Sequence, residues 1–188
     1  MALFDLSEIS ARQNTGNSLI YKYEQIHTRK INNINDLVGS DFLENHIWFL
    51  WTQNSFNAFT FILYAIKNIG IIEELVLTTY SINEKVIELL VRWYDRKMIK
   101  RVIIFISDTV KVRNSKLNDL LVLQSQNRDI MIIYAWNHSK IMLIKTEYKH
   151  ICIEGSGNLS DNSRYENYTL INNKEVYDFR KECVLHNS

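Results

Sequence analysis

The chain has 188 residues, a formal net charge of +1, 46% hydrophobic and 23% charged residues, no proline and only five glycines. This composition excludes collagen-like, proline-rich and Gly/Ser-linker classes, and the near-neutral charge exerts no global pull toward nucleic acid or anionic lipid. One domain is the default at this length, and a chain so sparing with glycine keeps it where nothing else fits.

Residues 1–18 are polar and aperiodic and read as a flexible N-terminal arm, leaving 19–188 as a single domain. Met1–Asp5 shows no basic stretch followed by an apolar core, so no signal peptide is expected and the protein is read as cytoplasmic. Residues 19–35 alternate in part and suggest an edge strand. The one membrane-like stretch, His46 to Ile66, is interrupted by Thr52, Gln53, Asn54 and Ser55. It reads as a buried strand over 46–51, a polar turn and a packed helix over 55–68, not as a membrane span or anchor.

ELVLTT (74–79) predicts a strand, and 82–97 an amphipathic helix through Val86, Leu89, Leu90 and Trp93. RVIIFI (101–106) is a strand, 110–126 a helix, and DIMIIYA (129–135), KIMLI (140–144), 148–154 and 165–171 are strands. A closing helix over 173–185 places Val176, Phe179 and Cys183 on one face. Strands alternating with helices, then strands in succession, predict an α/β fold with a mixed β-sheet flanked by helices on both faces. RVIIFI and DIMIIYA suit strands covered on both sides. Cys152 and Cys183 have no metal-ligand spacing around them and read as buried free thiols.

The segment richest in chemistry starts at Asn137-His138-Ser139-Lys140. Period-two geometry puts His138 and Lys140 on one face at the mouth of a strand. Gly155-Ser156-Gly157-Asn158 ends the following strand, and Glu166 opens another. In α/β sheets, sites lie off strand ends. These groups suit a phosphodiester: an imidazole can attack phosphorus, a lysine and an asparagine can donate to its oxygens, and glycines admit an anion close to the backbone. A carboxylate on the far imidazole nitrogen sets the tautomer.

These residues resemble the phospholipase D superfamily, whose signature is HxK(x4)D followed by GSxN and a glutamate. His138-Ser139-Lys140 matches HxK, Gly155-Ser156-Gly157-Asn158 matches GSxN, and the run to Glu166 looks like that of small single-motif, phage- or mobile-element-type members. The resemblance implies a phospholipase D/nuclease-like α-β-α sandwich and a metal-independent phosphodiesterase, an endonuclease, with no cofactor. It implies His138 as nucleophile, Lys140 and Asn158 as phosphate ligands supported by Ser156, and Glu166 as the residue that orients a histidine. Gly155 and Gly157 would frame the phosphate loop, where substitution is expected to harm activity more than folding. One HxK motif where the family's site needs two implies a homodimer, with nucleic acid as the substrate. Lys145 stands at the motif's aspartate position and implies altered local support. The alternatives are a phospholipid phosphodiesterase and a catalytically inactive nucleic-acid-binding module of the same fold.

Outside the motifs, His27, His46, His150 and His186 read as structural or surface residues. Arg92, Arg96, Lys97, Lys100 and Arg101 read first as a solvated helix end and second as a nucleic-acid backbone contact. Lys111, Arg113 and Lys116 form a looser basic patch. Trp136 leans toward core packing, against stacking on a base.

Overall fold

The computed structural model describes residues 30–39, 41–53, 55–160 and 165–186. The arm expected over 1–18, and 19–29 of the edge strand expected over 19–35, lie outside them. Residues 30–38 are helical (α1), with Ile31, Ile34 and Val38 buried at helical spacing, so that part of the expected strand is a helix. In chain order follow β1 (Ile47–Gln53), α2 (Ala58–Asn68), β2 (Glu74–Thr79), α3 (Glu84–Asp95), β3 (Val102–Ser107), α4 (Val110–Arg113), α5 (Ser115–Ser125), β4 (Ile130–Ala135), β5 (Ile141–Lys145), β6 (His150–Gly155), β7 (Tyr165–Asn172) and α6 (Lys174–His186).

The strands form one mixed seven-stranded sheet in the order β1-β7-β6-β5-β2-β3-β4. β2, β3 and β4 run parallel, and β5, β6, β7 and β1 join them antiparallel. The registers Leu77↔Met142, Ile141↔Glu154, Gly155↔Tyr168 and Gln53↔Tyr165 gather the ends of β2, β3, β4, β6 and β1 and the starts of β5 and β7 along one sheet edge. His138, Lys140, Ser156 and Glu166 all lie along that edge.

Helices cover both faces, unequally. Residues of α1, α2, α3 and α5 pack with Leu75, Leu77, Ile104, Ile144 and Leu170 on one face. On the other, Tyr177 and Val184 of α6 cover Val76, Ile103, Leu143 and Cys152. α2 starts with a capping box, in which Asn57 Oδ1 accepts from Thr60 N–H at 3.2 Å and Thr60 Oγ1 from Asn57 N–H at 3.1 Å.

Several elements differ from the sequence expectation for a physical reason. β1 is an edge strand with alternating burial, and Phe49 and Trp51 are 80% and 70% exposed. β4 forms the opposite edge and is half-buried, because only β3 pairs with it. The helix expected over 110–126 is divided at Asn114, whose side chain accepts from Leu117 N–H at 3.2 Å and starts α5 afresh. α6 buries Tyr177 and Val184, while Phe179 is exposed. Cys152 is buried and Cys183 half-buried; burial, then the charge of Glu154, pushes the Cys152 thiol up to about 12.

The sheet edge away from the site holds a charged anchor. The buried Glu74 carboxylate accepts from Lys181 Nζ and from Tyr177 OH at 2.9 Å, and lies 3.8 Å from Arg101. Lys100 pairs with Glu73 at 2.8 Å and Arg101 with Asp129 at 3.6 Å. Lys100 and Arg101 thus precede β3 at the edge opposite the site, with carboxylate partners of their own. Burial by itself raises the Glu74 carboxyl. The hydrogen bonds from Lys181 and Tyr177 and the charges of Lys181 and Arg101 outweigh it and hold the group below its ordinary 4.5. A carboxyl held low in the folded state stabilises fully above about pH 4.5, and that contribution is lost as pH falls through the lower folded value. Glu74→Gln is therefore expected to cost about 1.5–3 kcal/mol at neutral pH. Urea unfolding at neutral and acid pH should show the gap to wild type narrowing in acid.

Candidate active site

The site is assembled around the end of β2. Thr78 Oγ1 accepts from Ile141 N–H and from Ser139 Oγ, each at 2.8 Å. Thr79 O accepts from Asn137 Nδ2 at 3.2 Å, and Thr79 Oγ1 accepts from Leu159 N–H at 3.3 Å. Tyr80 N–H donates to Asn158 Oδ1 at 3.3 Å. Two loops, 136–140 and 156–160, are thereby tied to one strand end.

Asn137 is buried, 8% exposed. Its amide donates to Thr79 O and to Phe105 O at 3.3 Å, and its Oδ1 accepts from Ser139 N–H at 2.9 Å. It joins β2, β3 and the β4–β5 loop, so it sets where His138 stands. His138 is exposed, its ring 5.3 Å from the Tyr80 ring at 53°. Lys140 Nζ donates to His138 O at 2.7 Å and lies 3.4 Å from His138 Nδ1. Burial lowers the Lys140 ammonium from its ordinary value, and the negative charge of Glu166 acts against that shift.

Ser156 Oγ donates to Glu166 Oε2 and accepts from Asn167 N–H at 3.1 Å. Glu166 thus meets Ser156 by hydrogen bond and Lys140 by charge. The Asn158 carbonyl end is held by Tyr80 N–H, which makes the nitrogen end of its amide the donor. Five of the expected residues, His138, Lys140, Ser156, Asn158 and Glu166, are therefore gathered at one edge.

Gly155 and Gly157 line a small, mainly apolar cavity of about 20 Å³ beneath the loop, with Leu77, Met142 and Tyr168. The requirement at Gly155 is packing: a Cβ there would sit 2.5 Å from Asn167 O and 2.5 Å from the Tyr168 ring. Substitution at Gly155 therefore strains the packing of β6 against β7. Lys145, at the motif's aspartate position, ends β5 five residues from Lys140, about 17 Å away along an extended strand. It borders the opposite edge, remote from His138.

Tyr80 and Arg113 carry no motif, yet they belong to the same surface. Arg113 donates to Tyr80 OH at 2.5 Å, and Lys111 Nζ lies 4.0 Å over the Tyr134 ring. The available sequence signal was polar Thr-Thr-Tyr-Ser closing an otherwise apolar strand. Trp136 is 90% exposed, contrary to the expected core packing.

The sequence matches no family model and no curated protein. Among solved structures, the fold is similar to polyphosphate kinase from Porphyromonas gingivalis, with a TM-score of 0.56 at 16% identity over 74% of this chain. The chain spans 26% of that kinase's length, and the likeness is one of fold. The molecule is thus a mixed α/β domain with a fold also found within that kinase.

Gly155→Ala is expected to destabilise the protein by about 1–3 kcal/mol through overpacking against β7, seen as a lowered Tm. Asn137→Ala strips two buried carbonyls of their donor and is expected to cost about 1–3 kcal/mol in urea unfolding.

Proposed function

We propose that the chain is a phosphodiesterase, an endonuclease, acting through a phosphohistidine on His138 in a homodimeric site. The observation that supports this most is the pairing of His138 with Lys140 at 3.4 Å, on the same edge as the Ser156–Glu166 pair and Asn158. Polyphosphate kinase belongs to the phospholipase D superfamily, in agreement with the resemblance carried by His138, Lys140 and the 155–158 loop.

In this reading Lys140 and the Asn158 amide hold the non-bridging oxygens, where charge moves in the transition state. An imidazole nitrogen of His138 attacks phosphorus as the bond to the leaving oxygen breaks. That oxygen takes a proton from the partner's His138. Water then attacks the phosphohistidine, gives its proton to the partner's imidazole, and the phosphorus–nitrogen bond breaks to restore His138. A two-fold axis brings two identical sets together, which is why one set per chain suffices.

The test is hydrolysis of single- and double-stranded DNA and of bis(p-nitrophenyl) phosphate, with and without EDTA. EDTA-resistant turnover is expected, falling by about a thousandfold or more in His138→Ala. Absence of turnover with DNA binding intact would make the protein an inactive binding module, and a strictly monomeric active species would overturn the shared site. Glu166→Gln removes the charge that supports protonated Lys140, so burial acts unopposed and the ammonium loses its proton at lower pH. The alkaline limb of the kcat–pH profile is expected to move toward acid.

A further inference from the structure

Trp136 is the most exposed apolar side chain at the site edge, and its presentation is built. Asn137 N–H donates to Ala135 O at 2.8 Å, closing a three-residue turn with Trp136 at its apex. Ala135 O also accepts from Asp108 N–H at 3.0 Å, and Asn137 is fixed by its buried amide bonds. The indole is thus held outward between two anchored residues, its Cα within about 7 Å of that of His138.

The neighbouring cations follow β3 at the same edge. Lys111 lies over the Tyr134 ring and Arg113 holds Tyr80 OH, so these two have aromatic partners. Lys100 and Arg101, at the opposite edge, have carboxylates. An open groove of about 630 Å³ lies between the starts of α3 and α5, lined by Asn83, Asn114, Lys116 and Glu84 together with apolar Ile82 and Leu117. Asp108 is an exposed acid at this edge, so the attraction to an anion is local.

We propose that Trp136 stacks on an unpaired base beside the scissile phosphate and, with Lys111 and Arg113, recruits single-stranded nucleic acid to the His138 site; this rests on the phosphodiesterase reading above. A flat apolar indole next to cations that reach phosphates is the combination a single strand satisfies, because its base faces are open. In a duplex those faces are already stacked. A lipid surface would need contiguous apolar area, and here exposed Val112 is flanked by Lys111 and Arg113.

The experiment measures binding without turnover. In a His138→Ala background, fluorescence anisotropy gives Kd for labelled oligo(dT) and for a labelled hairpin duplex, at low and physiological salt. Adding Trp136→Ala is expected to raise Kd for oligo(dT) about tenfold, and Trp136→Phe to restore most of the loss. Lys111→Ala with Arg113→Ala is expected to flatten the salt dependence. Tyr148→Ala, an exposed aromatic in the β5–β6 turn at the opposite sheet edge, serves as the control and should leave Kd unchanged. Unchanged oligo(dT) binding in Trp136→Ala would overturn the proposal, as would duplex bound as tightly as single strand. So would loss of binding to phosphatidylglycerol vesicles with oligo(dT) binding intact. Failure of catalysis would appear only in the turnover assays, and failure of base stacking only here.

Discussion

The last two residues of β2 and the two that follow it, Thr78 to Ser81, are the constraint on which the site depends. They engage the 136–140 loop through Thr78 Oγ1 and Thr79 O, and the 156–160 loop through Thr79 Oγ1, Tyr80 N–H and the Ser81–Ser160 hydroxyl pair at 3.2 Å. Neither loop has a regular ladder of its own at that point, so their backbone and side-chain groups need these partners. The central strand therefore positions His138 and Lys140 on one side and Asn158 on the other. A hydroxyl at residue 78 or 79 is an unusual thing to bury in an apolar strand, and its two-sided bonding explains why it is kept.

The division of labour between the sheet edges follows from the same topology. At one edge, strand ends leave backbone and side chains turned toward solvent and ligand. At the other, Glu74 gathers Lys181, Tyr177 and Arg101 and pins α6 across the sheet. Lys145 lies toward this second edge, with Glu74 and His150 as its register partners, away from His138 and Lys140.

Much of this was legible in the sequence, and for identifiable reasons. β2 and β3 are mainly apolar runs rich in β-branched residues and covered on both faces, so composition alone located them. The site motifs were legible because spacing, two residues for His138 and Lys140 and three for Gly155 to Asn158, survives in one dimension. What was not legible depends on pairing across the chain. Whether β4 is central or at an edge is set by strand order, and DIMIIYA reads the same in either place. Trp136 looks like core because it follows an apolar strand; only the turn from Ala135 to Asn137 turns it outward. Gly155 reads as a loop glycine until Tyr168, thirteen residues on, is seen against it.

Glu166 shows how the site balances its own charges. A carboxylate beside an anion site opposes binding, yet its field is what supports the Lys140 ammonium against burial. Ser156 mediates between these demands: its hydroxyl donates to Glu166 while its oxygen accepts from Asn167 N–H, which ties the carboxylate to the start of β7. Under the proposed function, a phosphate bound beside Lys140 would supply the negative charge that Glu166 supplies in its absence, so the lysine is supported in both states.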